Sequence, residues 1–305
     1  MRQYSAKGRH SIWIFFIFLS LSPPLSAVQD VPESEQPRFN VVLEYRALQP
    51  GEVVQVVLTS ASDIHQAHVR FLDKKYTLWK TSDTLFRYIT FIGLDLAAQP
   101  GKYPLRVSVL FEDGALHASI LDVHIVEKEF PIKKLWVDEK FVTPPAEVLE
   151  RIKTESALMG SIFATSTPRW LGEGTFIVPS SGKATPNFGE RRYFNDQPRS
   201  PHSGVDISSP QGAPVVAANS GQVVLADDLY YAGNTVIIDH GLGMFSFYCH
   251  FSVIRAKRGD WVQKGDVIGE VGATGRVTGP HLHWSVRIRN SRIDPFSLLA
   301  LDLSK

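Results

Sequence analysis

Three short stretches in the last half of the chain hold residues able to do hydrolytic chemistry. In His202-Ser203-Gly204-Val205-Asp206 an imidazole and a carboxylate stand four positions apart. At the start of an extended segment, where side chains alternate with period two, both project to one side and offer zinc one nitrogen and one oxygen. In Gly279-Pro280-His281-Leu282-His283-Trp284 two histidines at i and i+2 share a strand face, while Leu282 and Trp284 turn into packing. One of the pair can bind a metal while its neighbour stands close to a bound water. In Tyr248-Cys249-His250-Phe251 the same alternation sets Tyr248 and His250 on one face and Cys249 on the other. Each stretch alone admits a plainer reading: a surface His-Asp hydrogen bond, a pair of exposed or core histidines, a satisfied core histidine. Together they supply the parts of a catalytic zinc site, namely three protein ligands, an open fourth position and unligated bases nearby. The sequence has no His-Glu-x-x-His helix to place a glutamate as general base, so an imidazole must take that part.

Positioning these residues falls to strands. From residue 176 to about 299, apolar runs at 215–217, 222–226, 235–239, 245–250, 267–271 and 282–289 are separated by glycine-rich turns. They predict a compact, mostly antiparallel β domain. Residues 38–127 also alternate apolar and polar positions, as in 39–45, 53–58 and 105–110, and predict an immunoglobulin-like β-sandwich. The Gln99-Pro100-Gly101-Lys102-Tyr103 turn is similar to the one that opens a late strand in such modules. His65, His68, His117 and His124 lie here at spacings that build no metal site. Between the two, residues 128–174 form a connector with one helix. Thr143 is its expected N-cap, Pro144 its first residue, and Val148, Leu149, Ile152, Leu158 and Ile162 its packed stripe. Trp170 then reads as an aromatic anchor in an irregular stretch.

The fold class expected is therefore mostly β, in a chain of 305 residues that suits two domains. A formal net charge of +1 gives no basic face for a polyanion, so nucleic acid is not an expected partner. Arg2, Lys7 and Arg9 precede an apolar run at 12–21, and Pro23, Pro24, Leu25, Ser26 and Ala27 follow. This predicts a secretory signal peptide over residues 1–27, cleaved after Ala27. An uncleaved anchor is the competing reading, since about 20 residues just span a bilayer, but two prolines break the far end. Membrane contact is thus expected only through the signal peptide, and the mature protein is expected to be a monomer. The lone Cys249 can form no internal disulfide, and its distance from the N-terminus argues against lipid attachment at the cleavage site.

Four stretches in order carry a resemblance: Asn187-Phe188-Gly189-Glu190-Arg191-Arg192, His202-Ser203-Gly204-Val205-Asp206-Ile207, Tyr248-Cys249-His250, and Thr274 to His283 ending in Gly279-Pro280-His281-Leu282-His283. Over residues 175 to about 298 the chain resembles the lysostaphin-type, LytM-like zinc endopeptidases of peptidoglycan. The resemblance implies that His202, Asp206 and His283 bind Zn2+ and that His250 and His281 are the unligated catalytic pair, sharing proton transfer and oxyanion stabilisation in an unassigned order. His240 matches a strand-end position without a catalytic role. It further implies a metalloendopeptidase domain over 175–305, peptidoglycan peptides as partners, and a periplasmic or secreted location. Its alternative is a non-catalytic cell-wall binding protein or amidase activator, of the kind that has lost metal ligands, whereas all five site residues stand here. Phe251 replaces a commoner leucine and the 227–233 loop is long and aromatic, departures that bear on the groove and not on the ligands. A nucleotide-binding reading of Gly272-Ala273-Thr274-Gly275 fails for want of a Gly-Lys-Ser/Thr ending or a following helix. No motif separates glycine-rich bridges from direct cross-links to diaminopimelate. The lack of a wall-targeting repeat leans towards a Gram-negative periplasm and a D-alanyl-diaminopimelate link.

Overall fold

The computed structural model describes residues 38–81, 86–136, 139 and 142–301; the segment read as a signal peptide, 1–27, lies outside them. Eight strands build the first half: β1 (Phe39–Tyr45), β2 (Val53–Ser60), β3 (Ile64–Phe71), β4 (Lys74–Thr77), β5 (Trp79–Lys80), β6 (Arg87–Gly93), β7 (Gly101–Phe111) and β8 (Leu116–Ile125). They form two antiparallel four-stranded sheets, ordered β1-β2-β6-β5 and β4-β3-β7-β8. Along β7 the alternation is clear, with Leu105, Val107, Val109 and Phe111 buried between more exposed neighbours. Along β6 it is lost, because all seven residues are buried. The reason is a covered outer face: Phe91 of β6 packs on Trp170 at 4.9 Å between ring centroids. Ion pairs of Arg46 with Glu52 and Asp294, and of Asp95 with Arg292, tie the same face to the second half.

The connector opens with β9 (Ile132–Leu135), a strand that the sequence reading does not anticipate. The helix, α1 (Leu149–Ala164), begins later than expected, after a single 3-10 turn at Ala146–Val148. Thr143 is not its N-cap; its hydroxyl donates to Glu139 Oε1. Consecutive prolines explain the delay, since the residue before a proline is pushed out of the α region and Pro145 itself is extended (φ −58°, ψ 150°). The packed stripe is also rotated. Leu149 and Leu158 are exposed, and the contacts come from Met159, Ile162 and Phe163 against Leu225, Leu229, Ile237 and Phe245. Among the described residues no helix is long and apolar enough to cross a membrane.

The second half comprises β10 (Lys183–Thr185), β11 (Arg191–Phe194), β12 (Gln197–Pro198), β13 (Gly204–Ser208), β14 (Pro214–Val216), β15 (Gly221–Leu229), β16 (Gly233–Gly241), β17 (Met244–Ile254), β18 (Trp261–Val262), β19 (Val267–Val271), β20 (Leu282–Ile288), β21 (Ser291–Ile293) and the short α2 (Pro295–Leu298). Ten of these strands join one antiparallel sheet whose spine runs β10-β13-β20-β17-β16-β15-β18. One face of β20 buries Leu282, Trp284 and Val286 in the core; the other presents His283, Ser285 and Arg287. A small separate sheet, β12-β11-β9, takes β9 of the connector in parallel beside β11.

Candidate metal centre

Adjacent strands bring two of the candidate residues together. Asp206 of β13 pairs directly with His283 of β20, so their side chains leave the same face of the sheet. The strands approach closely at Gly204, where a Cβ would stand 2.5 Å from the Trp284 carbonyl oxygen. His202 sits just before β13, its backbone N–H donating to the Glu190 carbonyl. His202 Nε2 lies 2.8 Å from His283 Nδ1 and 3.1 Å from Asp206 Oδ1, and His283 Nδ1 lies 3.0 Å from the same oxygen. Bonds of 2.0–2.1 Å to a tetrahedral zinc separate its ligand atoms by about 3.3 Å, so this triangle needs to open by only a few tenths of an ångström to admit one. His202, Asp206 and His283 form a candidate metal group among the described residues, and two imidazoles with a carboxylate fit zinc.

Neighbouring groups hold these atoms in a ligand-ready state. His202 Nδ1–H donates to the Asn187 carbonyl, which leaves the Nε2 lone pair for a metal. The Asn187 side chain donates to Asp206 Oδ2 at 2.8 Å and accepts from the Asp206 N–H, while Arg192 donates to the same Oδ2 at 3.2 Å. Burial by itself raises the Asp206 carboxyl, but its contacts with the His202 and His283 rings outweigh it and hold the group far below the carboxylate range. Burial likewise lowers His283 and keeps it neutral, against the pull of Asp206. Asn187 and Arg192 are supporting residues to which the sequence reading gives no role, although both fall in the first of its four stretches.

His250 and His281 face the same space. Their ring centroids are 4.9 Å apart, and His281 Nε2 stands 3.7 Å from Asp206 Oδ1. His250 Nδ1 donates to the Thr274 carbonyl and His281 Nδ1 to the Gly279 carbonyl, so each ring offers its Nε2 lone pair outward. Burial, followed by the cost of charging it beside His283 and His281, lowers the His250 pKa to about 3 and leaves it neutral.

One sequence expectation is corrected here. Tyr248 and His250 do not share a face: the Tyr248 hydroxyl is buried in the core, accepting from the Ala218 N–H, and Cys249, paired with His283, lies on the groove side. Regular alternation would send His250 into the core with Tyr248. A β-bulge prevents this, because Cys249 and His250 together oppose Thr235 of β16 and His250 takes a left-handed φ of 66°. His240 is fully buried away from this cluster, with Nδ1 on the Ser220 carbonyl and Nε2 on Ser246 Oγ.

The five residues line a groove of about 340 Å³. Lys133 and Leu135 of the connector strand β9, Arg192 of β11, and Tyr231 and Arg276 from two loops form its walls. Past Ser203 and Phe247, which both cavities share, a second cavity of about 380 Å³ is walled by Met159 and Phe163 of α1.

Comparison with known proteins agrees with this geometry. The peptidoglycan DD-endopeptidase ShyA of Vibrio cholerae serotype O1 is 41% identical over 120 residues, 39% of this chain and 28% of the relative. The DD-carboxypeptidase/endopeptidase Mpg of Neisseria meningitidis serogroup B is 41% identical over 97 residues, 32% of this chain and 22% of the relative. The chain thus spans less than a third of the length of these curated relatives. A solved structure described as a peptidase M23 from Pseudomonas aeruginosa superposes with a TM-score of 0.63 at 29% identity, covering 83% of this chain and 95% of that one. Residues 200–295, which carry all five candidate residues, match the model of Peptidase family M23.

Proposed function

We propose that the protein is a zinc-dependent endopeptidase that hydrolyses peptide cross-links or stem peptides of bacterial peptidoglycan. The observation that carries this reading is the convergence of His202 Nε2, Asp206 Oδ1 and His283 Nδ1 within 3.1 Å of one another, beside two histidines with free Nε2 atoms. Zinc held by those three atoms supplies a Lewis acid for the scissile carbonyl and lowers the pKa of water from 15.7 towards about 7. The chain's own residues do the rest. Asn187 and Arg192 fix the Asp206 carboxylate on the Oδ2 side and leave Oδ1 to the metal. His250 and His281, each locked by a backbone carbonyl on Nδ1, share proton transfer and oxyanion stabilisation through Nε2. His250 is neutral at neutral pH, so its Nε2 lone pair is open, which that of a protonated ring is not.

The wider organisation follows the same proposal: residues 38–127 an immunoglobulin-like module, 128–174 a connector that narrows the groove, 175–305 the peptidase domain. The strand orders β1-β2-β6-β5 and β4-β3-β7-β8 support the first assignment, since an immunoglobulin-type sandwich has its strands in the order ABED on one sheet with C, F and G on the other. The substrate requires the cell envelope, and we assign the protein to the periplasm or the exterior, acting as a monomer. The names of the relatives support a DD-endopeptidase specificity.

The test is digestion of purified wall material by the zinc-loaded protein, with fragments identified by mass. Release of un-cross-linked peptides by the wild type, and none by His202→Ala, is the expected result. Intact walls after incubation with folded, zinc-loaded protein would overturn the reading in favour of a non-catalytic binding or activating role.

A further inference from the structure

The chemistry above leaves one wall of the groove unused. Arg276, in the loop from β19 to β20, lines the groove with its guanidinium 4.5 Å from the Tyr231 ring centroid and 4.9 Å from that of Phe194. Its position is built, not incidental. The Arg276 N–H donates to the Tyr231 carbonyl, and Gly275 passes so close to the 231–233 backbone that a Cβ would stand 2.4 Å from the Gly233 nitrogen.

The other guanidiniums at this end have partners: Arg192 faces Asp206 and Glu190, and Arg199 donates to the Val142 carbonyl and Gln197 Oε1. The Arg276 guanidinium has no carboxylate or carbonyl partner among the described residues, only the two rings. Half-burial lowers its pKa, as do the nearby cations Arg199 and Arg192, yet it remains charged at neutral pH. Ring contacts favour an arginine here but take up none of its N–H groups, and its donors, none of them buried without a partner, are left for hydrogen bonds from the groove. A carboxylate entering the groove would supply them, since the guanidinium fork matches a carboxylate in two hydrogen bonds.

We propose that Arg276 recognises a free carboxylate on the substrate peptide close to the scissile bond, so that the enzyme distinguishes acidic peptides from their amidated forms. The inference rests on the peptidase reading and adds a specificity to it. A side-chain carboxylate and a chain-terminal one share this chemistry, and the experiment separates them.

Three synthetic cross-linked peptides are compared as substrates: one with both carboxylates free, one with the side-chain group amidated, one with the terminal group amidated. For the wild type, one amidation is expected to lower kcat/KM about tenfold or more, the scale of a hydrogen bond to a charged group, and it identifies the carboxylate. Arg276→Gln is expected to show that loss already on the free acid and no further loss on amidation, with its zinc content unchanged; Arg276→Lys should recover part of the preference. Titration of the same peptides into metal-free protein reads the effect as affinity, with the acid binding about tenfold more tightly. Should Arg276→Gln fail to fold, the wild-type ratios and Arg276→Lys still decide. Equal rates on all three peptides, or a preference that survives in Arg276→Gln, overturn the inference while cleavage of walls keeps the peptidase reading. A wild type that cuts neither walls nor peptides overturns both.

Discussion

The two halves of the molecule carry similar numbers of histidines and use them differently. His65 and His124 in the first half are exposed, and His68 and His117 half-buried; Glu112 stands 3.7 Å from His65 Nδ1. In the second half His202, His240 and His250 are buried, His281 and His283 half-buried, and four of the five rings, all but His283, have Nδ1 fixed by a backbone carbonyl. Both regions are antiparallel β structure, so strand geometry alone does not make a site. What separates them is a second layer of bonds that sets which nitrogen faces outward. Within the second half, His240 sharpens the point: both its nitrogens are taken, so it holds the fold and has no atom left for chemistry.

That contrast can be broken or sharpened by substitution. The largest effect is expected from His281→Ala, which should lower kcat by about 10²- to 10⁴-fold while zinc content stays at the wild-type level, read by steady-state kinetics with metal analysis. Loss of the metal in parallel would instead make His281 a ligand. His240 is next. Burial lowers its pKa to about 4, against an ordinary value near 6.5, so between these pH values the unfolded chain takes up a proton that the native protein refuses. Stability contributed by the neutral ring is therefore present at pH 7 and lost as the pH falls, by about 2 kcal/mol between pH 7 and 5. Denaturant melts should show this slope in the wild type and a shallower one in His240→Gln; identical slopes would contradict the assignment.

Asn187→Ala is expected to weaken zinc binding by about 10- to 100-fold, since it removes the hydrogen bond to Asp206 Oδ2 and frees the carboxylate to turn, as a competitive chelator titration would read. The smallest effect belongs to the first half. His65→Ala should change stability by less than about 0.5 kcal/mol and leave cleavage untouched, and a larger change would show that the exposed histidines have work of their own.

Much of the site is legible in the sequence because residue type and strand spacing suffice for it. His281 and His283 two apart, with Leu282 and Trp284 between and after them, read as a strand with a polar and an apolar face, and β20 has that form. Other features have no local signal. The bulge that turns His250 from the core to the groove depends on pairing with β16, where Phe251 meets Asn234, and simple alternation gives the wrong face for Tyr248. Asn187 acts on a carboxylate 19 residues away across a loop, a contact without period. The run Ile132-Lys133-Lys134-Leu135 lacks alternation and becomes a strand only because β11 offers it an edge. The late helix start has a local cause in the sequence, the second proline, whose restriction on Pro144 outweighs the N-cap preference of Thr143.

The central claim is that three side chains from separate parts of the second half hold one zinc ion. Metal analysis of the purified, folded protein after zinc loading and removal of free metal tests it most directly, with His202→Ala measured alongside. The account predicts about one zinc per wild-type chain and almost none in the variant, with both retaining the same β-sheet signal. A folded wild type without zinc, or a variant that keeps a full equivalent, would contradict it.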